Sequence, residues 1–202
     1  MPVLTPDLLL RAYAAGLFPM AEDRRSPVIQ WIDPARRGII PLDGGFHVPR
    51  RLKRTVAQAP FRIEASTHFP QVIAACAEPV PGRERTWLND ELIDLYTRLW
   101  RMGFAHSVEA WAGESLVGGL YGLAIGGAFF GESMFNRATD ASKVALVHLV
   151  ERLRQGGFRL LDAQFVNDHL VQFGIVEIDR ADYHRRLKAA LRIGARFPLG
   201  KG

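Results

Sequence analysis

The chain has 202 residues, of which 48% are hydrophobic and 23% are charged, so it is long enough for one medium-sized globular domain and is neither disordered nor fibrous. Its 26 basic and 21 acidic residues give a net charge of +5, which favours a polyanionic partner over an acidic substrate. The single cysteine, Cys76, excludes an internal disulfide and is typical of a reducing compartment. Because the sequence also has no signal peptide and no apolar run of membrane-spanning length, we expect a cytoplasmic protein that does not enter a membrane.

The N-terminal part predicts a helix followed by irregular segments. Thr5 and Pro6 form a helix cap and a first-turn proline, and Gly16 ends that helix. The next segments, in chain order, are an apolar loop over residues 17–20, a connector over 31–37 and a short edge strand over 38–42. The connector predicts a domain boundary, with a small N-terminal domain over residues 1–36 and the main domain over residues 37–202. Pro60 is the latest alternative position for this boundary.

The rest of the sequence predicts helices and strands in a definite order. They are a helix beginning at Pro49, a strand over 61–65, a helix over 69–77, a loop over 79–84, a helix capped by Asn89, strands over 105–111, 115–125 and 128–135, a helix over about 140–154, a strand over 158–163, a short helix over 167–173, a strand over 175–178 and a helix capped by Asp179. From residue 61 onward this is the element order of the GNAT acyltransferase fold. We therefore expect an α+β, GNAT-like fold, in which a mixed, mainly antiparallel sheet is flanked by helices, with the small N-terminal domain added.

Two strings place polar side chains at the ends of apolar strands. FGESMF, over residues 130–135, contains Glu132, and LDAQFVNDH, over residues 161–169, contains Asp162 and Gln164 on one face of a strand. An unpaired carboxylate is costly in a protein core, so these groups have either a partner or a function. Their chemistry indicates a small pocket that binds a cationic amine and handles its protons.

Each of these residues also has an ordinary interpretation. Asp162 and Gln164 could form local hydrogen bonds, Asn167 could be a helix N-cap, and Glu132 could pair with a surface arginine. In the GNAT element order the two strings lie on neighbouring strands, which favours a shared site.

The expected fold raises an alternative function, acetyl-CoA-dependent N-acetyl transfer. Enzymes of that kind bind the CoA pyrophosphate on a Gly-rich turn at the start of the central helix. Here the corresponding segment, residues 136–143, contains no glycine, which argues against CoA, although Ser142 and Lys143 remain candidate phosphate contacts. Histidine and cysteine positions show no metal-ligand spacing, so we expect no metal.

A third alternative is an RNA-binding module on an inactive scaffold. The cluster Arg50, Arg51, Lys53 and Arg54 is either a solvated helix face or a patch that contacts phosphates. Trp87 precedes a helix cap, where an aromatic ring can stack on a nucleic-acid base. Intact acidic and amide residues in the two strings argue against an inactive scaffold.

The sequence resembles the leucyl/phenylalanyl-tRNA–protein transferase family over nearly its whole length. The segments that carry the resemblance are AGLFP (15–19), WIDPAR (31–36), residues 46–54, Thr86-Trp87, GFAHSVE (103–109), LVGGLYG (116–122), GESMF (131–135), ASK (141–143) and LDAQFVNDH (161–169). The family implies an enzyme without a cofactor, working in the cytoplasm. It moves Leu or Phe, and Met less well, from aminoacyl-tRNA to the N-terminal α-amino group of proteins that begin with Arg or Lys, which marks them for N-end-rule degradation. We expect a monomer.

The resemblance also implies roles for individual residues. The family's catalytic positions match Glu132, Asp162, Gln164 and Asn167. Residues implied at the 3′ end of the tRNA are Trp87, Tyr96 and Met20, the last standing where many members have tryptophan. The aminoacyl side-chain pocket is implied to be Leu120, Phe129, Met134, Leu146, Leu149 and Leu161, and the tRNA backbone is expected to contact Arg50, Arg51, Lys53 and Arg54.

For the chemistry, we expect Glu132 and Asp162 to attract the cationic amine. Gln164, held by Asp162, would orient that amine, and Asp162 would finally accept its proton. Asn167 would position the ester or Gln164.

Overall fold

The computed structural model describes residues 4–80 and 85–200, and within them the chain forms seven helices and nine strands. The helices are α1 (Pro6–Ala14), α2 (Arg50–Gln58), α3 (Phe69–Ala77), α4 (Asp90–Arg101), α5 (Ala141–Gln155), α6 (Asp168–Val171) and α7 (Arg180–Ala190). The strands are β1 (Phe18–Ala21), β2 (Ile29–Ile32), β3 (Arg36–Ile40), β4 (Arg62–Ala65), β5 (Ala105–Ala112), β6 (Ser115–Ile125), β7 (Ala128–Asn136), β8 (Leu160–Gln164) and β9 (Val176–Asp179). Across these described ranges, every helix falls short of the length and apolarity that a bilayer crossing requires.

The predicted helix caps are confirmed. The side chains of Thr5, Asn89 and Asp179 each accept a backbone N–H from the first turn of α1, α4 and α7 respectively, at 3.2, 2.9 and 2.8 Å. Side-chain caps of this kind satisfy N–H groups that the helix itself leaves without a partner.

Two predictions in the N-terminal part are wrong. Residues 17–20 were predicted as a loop, but Phe18–Ala21 forms β1, which pairs with β2 in an antiparallel two-stranded sheet. Residues 38–42 were predicted as an edge strand, but β3 lies between β8 and β9. Because β3 ends at Ile40, Pro41 falls just outside the strand and does not interrupt its hydrogen bonds. Of the loop predicted over residues 79–84, positions 81–84 lie outside the described residues.

The described strands build one seven-stranded sheet in the order β4-β5-β6-β7-β8-β3-β9. All neighbours are antiparallel except β7 and β8, which are parallel. Their pairing covers Ala128–Leu160, Phe129–Leu161 and Phe130–Asp162, and no further pair of these strands is found in the described residues, although β7 continues to Asn136. The two strands therefore separate just beyond Phe130 and Asp162. A mixed, mainly antiparallel sheet flanked by helices is thus confirmed.

The sheet has an apolar cluster on each face. On one face Tyr121 and Phe130 pack with α1, α3 and α4, and on the other Leu120 and Phe129 pack with α5. Neighbouring residues of a strand point to opposite faces, so the gap between β7 and β8 is reached from both clusters.

Candidate active site

A buried ion pair lies at the end of β8. Asp162 accepts from Arg37 of β3, with Nε at 3.0 Å from Oδ1 and Nη2 at 2.6 Å from Oδ2. The two side chains are 0% and 1% exposed respectively. This bidentate pair compensates both charges inside the protein.

Two further donors complete the surroundings of Asp162. The hydroxyl of Tyr183 donates to Oδ2 at 2.7 Å, and the backbone N–H of Gln164 donates to Oδ1 at 2.8 Å. Burial and the charge of Asp162 raise the pKa of Tyr183, so this hydroxyl stays protonated and remains a donor. Asp162 is therefore already engaged by one cation and two neutral donors before any substrate binds.

Gln164 has an unusual backbone conformation. Its φ is +62°, and the N–H of Phe165 donates to the carbonyl of Ala163 at 2.7 Å, which closes a three-residue turn around Gln164. A γ-turn with positive φ is rare and strained, and such strain is often found at functional positions. The hydrogen bond from the Gln164 N–H to Asp162 holds this turn in place.

Glu132 of β7 lies opposite this turn. Gln164 Nε2 donates to its Oε1 at 3.1 Å, and the hydroxyl of Tyr96 donates to its Oε2 at 3.2 Å. Tyr13 extends the chain of hydroxyls, since its Oη lies 2.5 Å from that of Tyr96. Among the described residues no cation pairs with Glu132, so this carboxyl, 9% exposed, is buried among neutral donors.

The ionisation of Glu132 reflects this environment. Burial raises the pKa of its carboxyl to about 7, the negative charge of Asp162 adds to the rise, and the hydrogen bonds from Gln164 and Tyr96 oppose it. Near neutral pH, Glu132 can therefore hold a proton or release it.

A cavity of about 640 Å³ opens where β7 and β8 separate. Apolar side chains on the α5 face line most of it: Leu120, Met134, Leu146, Leu149, Leu161 and Leu170. Its polar lining includes Glu132, Asp162 and Asn167. This volume is typical of a small-ligand site.

The start of α5, at the edge of this cavity, is already engaged. The N–H of Ser142 donates to Asn136 Oδ1 at 3.0 Å, and Lys143 pairs with Asp140 at 2.9 Å. These contacts occupy groups that a bound pyrophosphate would use at a helix N-terminus.

Two family models match most of this chain. The family model described as leucyl/phenylalanyl-tRNA protein transferase matches residues 39–188, and the model of that family's N-terminal domain matches residues 3–35. The chain belongs to the leucyl/phenylalanyl-tRNA–protein transferase family. The resemblance seen in the sequence is confirmed.

Similar curated members of the family come from three bacteria. The leucyl/phenylalanyl-tRNA–protein transferase of Hyphomonas neptunium is 57% identical over 195 residues, covering 96% of this chain and 75% of the relative. That of Rhodospirillum rubrum is 55% identical over 196 residues, covering 97% and 92%. That of Paramagnetospirillum magneticum is 57% identical over 197 residues, covering 98% and 94%.

A more distant similarity is found among solved structures. The structure of L-PGS from Bacillus licheniformis is 14% identical and has a TM-score of 0.46, covering 83% of this chain and 58% of that one. A likeness this weak supports no argument about fold or function.

The predicted catalytic residues lie close together, but their contacts differ from those expected from the sequence. Glu132 and Gln164 are in direct contact, and Gln164 meets Asp162 through its backbone rather than its side chain. Asn167 lines the cavity and also caps α6, because its Oδ1 accepts the N–H of Leu170 at 3.0 Å. The ordinary N-cap interpretation of Asn167 is thus confirmed.

The residues expected at the tRNA 3′ end lie in two places. Trp87 and Met20 are half-buried in adjacent segments, since the N–H of Ala21 donates to the carbonyl of Trp87 at 3.2 Å. Tyr96 is instead fully buried beside Glu132, where it contacts the predicted catalytic group.

Five of the six residues expected in the aminoacyl pocket line the cavity. The sixth, Phe129, is fully buried behind the wall, with Phe158 at 6.4 Å and Phe197 at 5.7 Å between ring centroids. The basic side chains Arg50, Arg51, Lys53 and Arg54 are all exposed on α2, which packs inward through Leu52.

Sequence reasoning missed Arg37, Tyr13 and Tyr183. Arg37 directly precedes the apolar residues of β3, and a charged residue at that position is the one signal that could have identified it. The two tyrosines look like ordinary apolar-face residues of α1 and α7.

Glycine usually lowers stability relative to alanine, but the positive φ of residue 164 predicts the opposite order at this position. Gln164→Gly should be more stable than Gln164→Ala by about 1 kcal/mol, because both remove the side chain but only glycine adopts a positive φ without strain. Chemical denaturation measures the difference. As the matched control, Ala163→Gly on β8 should lower stability by about 0.5–1 kcal/mol. An alanine variant at position 164 as stable as the glycine variant would contradict the strained turn.

Proposed function

We propose that this chain is an enzyme that transfers Leu or Phe, and Met less well, from aminoacyl-tRNA to the N-terminal α-amino group of proteins beginning with Arg or Lys, marking them for N-end-rule degradation. Membership of the leucyl/phenylalanyl-tRNA–protein transferase family supports the reaction. The structural feature that best supports it is the cavity between β7 and β8, which has an apolar wall on one face of the sheet and, on the other, Glu132, the carboxyl to which Gln164 donates.

The two faces suit the two substrates. The leucines and Met134 of the α5 side enclose an apolar space that fits an unbranched-at-β side chain such as Leu or Phe. The ester carbonyl would then lie in the gap between the strands. The amine would approach it from the face that carries Glu132.

Glu132 and Gln164 are proposed to act on the amine. Gln164 donates its Nε2 to Glu132, and its amide oxygen has no hydrogen-bond donor among the described residues, so that oxygen can accept from the incoming amine. Ionised Glu132 takes a proton from the neutral amine as its nitrogen attacks the ester carbon, and that proton passes to the ribose oxygen as the ester C–O bond breaks and the amide bond remains. A carboxyl whose pKa is raised to about 7 by burial suits this exchange.

Asp162 takes a different role from the one expected from the sequence. It was expected to accept the proton, but its oxygens are engaged by Arg37, Tyr183 and the Gln164 backbone. We propose that Asp162 holds the turn of Gln164, and that Asn167 positions the ester from the cavity wall.

The finer organisation is also a proposal. The antiparallel strands β4–β7, the helix α5 and the parallel strand β8 that diverges from β7 support a GNAT-like fold for residues 37–202. Residues 1–36, with α1 and the β1–β2 sheet, would form the small N-terminal domain. We propose that the protein is a cytoplasmic monomer, and that no cofactor is required because an aminoacyl ester is already activated.

The alternative, acetyl-CoA-dependent transfer, is less well supported. The segment before α5 lacks glycine, and the N–H of Ser142 already donates to Asn136. Both features disfavour the binding of a CoA pyrophosphate at the start of this helix.

The function is tested by a transfer assay with radiolabelled Leu-tRNA and a peptide beginning with Arg. Label should appear in that peptide and not in a matched peptide with an acetylated N-terminus, because the free amine is the nucleophile. Glu132→Gln should lower the single-turnover rate by about 10²–10⁴-fold. Labelling by acetyl-CoA in place of Leu-tRNA would instead establish the alternative.

We propose that the exposed basic face of α2 contacts the tRNA backbone, and that Trp87 and Met20 contact the 3′ end of the tRNA. Replacing Arg50, Arg51, Lys53 and Arg54 by Gln should weaken tRNA binding and reduce the slope of log affinity against log salt by about 3–4, if each contacts one phosphate. Filter binding over a salt series measures this slope. Replacing the ion-paired surface residues Arg11 and Arg98 is the control and should leave the slope close to wild type. An unchanged slope in the α2 variant would exclude this face.

A further inference from the structure

We propose that Arg37 is a positioning residue for the transfer reaction: it fixes Asp162 so that the turn of Gln164 stays aligned with Glu132. This inference rests on the proposed function. It assigns to Arg37 a role that acts through its neighbours, without contact with either substrate.

The geometry forms a continuous chain of contacts. Arg37 holds both oxygens of Asp162, Asp162 accepts the backbone N–H of Gln164, and the Gln164 side chain donates to Glu132. Because Gln164 is held at a φ of +62°, its turn depends on such outside support. A small shift of Arg37 would therefore move the amide that faces the incoming amine.

The other side of the guanidinium contacts the N-terminal segment. Nη1 donates to the carbonyl of Gly16 at 3.1 Å. The guanidinium carbon lies 4.5 Å from the ring centroid of Phe18 and 4.3 Å from that of Tyr183. Phe18 begins β1, the strand that also carries Met20, so Arg37 joins the region proposed for the tRNA end to the catalytic strand.

Stability alone does not account for this pair. Apolar residues of similar volume often replace a buried ion pair without loss of stability, so such a pair is weak evidence for a stabilising role. Arg37 also uses the fork of its guanidinium, with Nε and Nη2 on Asp162 and Nη1 on Gly16, which a lysine cannot reproduce.

The pair also sets the charge around Glu132. The titratable and charged groups that face Glu132 are Tyr13 from α1, Arg37 from β3, Tyr96 from α4, Tyr121 from β6 and Asp162 from β8. Burial and neighbouring negative charge raise the pKa of each of the three tyrosines, so they remain neutral. Arg37 is thus the one cation in this set, and it balances Asp162.

The test is single-turnover transfer of Leu to an Arg-initiated peptide between about pH 5 and about pH 9, a range that brackets a carboxyl titrating near neutrality. Arg37→Lys keeps the charge but loses the fork, so the plateau rate should fall by about 100-fold while the KM for aminoacyl-tRNA stays unchanged. Arg37→Met also removes the charge, so the carboxyl of Glu132 titrates without its neighbouring cation, its pKa rises further and the acid limb should move to higher pH. Arg36→Met is the matched control, because Arg36 is the exposed neighbour that pairs with Glu177, and it should behave as wild type.

The outcomes distinguish a positioning role of Arg37 from a purely structural one. A folded Arg37→Lys variant with the wild-type plateau rate overturns the proposal, as does an Arg37→Met variant whose rate falls equally at every pH. If Arg37→Met fails to fold by circular dichroism, the rate and KM of Arg37→Lys decide alone. A wild-type protein that leaves the peptide unlabelled contradicts the proposed function itself, and the inference falls with it.

Discussion

The buried pair between Arg37 and Asp162 is the interaction on which the rest of the site depends. It joins β3 to β8, and Arg37 extends the connection to Gly16 and to the ring of Phe18. Removing either partner would leave an uncompensated charge in the interior, which proteins tolerate poorly. The end of β8, where the sheet opens, is therefore held by a contact that is costly to alter on one side alone.

This constraint separates the tasks of the two carboxyls. Asp162 has a cation and two further donors, whereas Glu132 has neutral donors among the described residues and a pKa that burial raises to about 7. Two acidic groups in one small site thus have different partners and different tasks. The separation of β7 from β8 is the second constraint on the site. It places an apolar wall on one side of the gap and the two carboxyls on the other.

The sequence predicted what local pattern encodes and missed what depends on distant partners. Polar residues that end apolar strands identified Glu132, Asp162 and Gln164, and side-chain caps marked three helix starts. Arg37 could not be identified from local pattern, because its partner Asp162 lies 125 positions away and the sequence around Arg37 resembles a connector. β1 is missed for another reason, since its four apolar residues become a strand only by pairing with β2. The positive φ of Gln164 also has no signature in a glutamine, because the turn is imposed by Asp162.

Isotope-edited infrared titration of protein labelled with ¹³C-glutamate shows whether Glu132 is the carboxyl that exchanges protons near neutral pH. We expect one protonated carboxyl band that disappears with a midpoint at about pH 7, is absent in Glu132→Gln and is kept in Arg36→Gln. This assignment would be contradicted by a spectrum in which every labelled glutamate ionises with a pKa close to its ordinary value of about 4.3, or in which the band survives in Glu132→Gln.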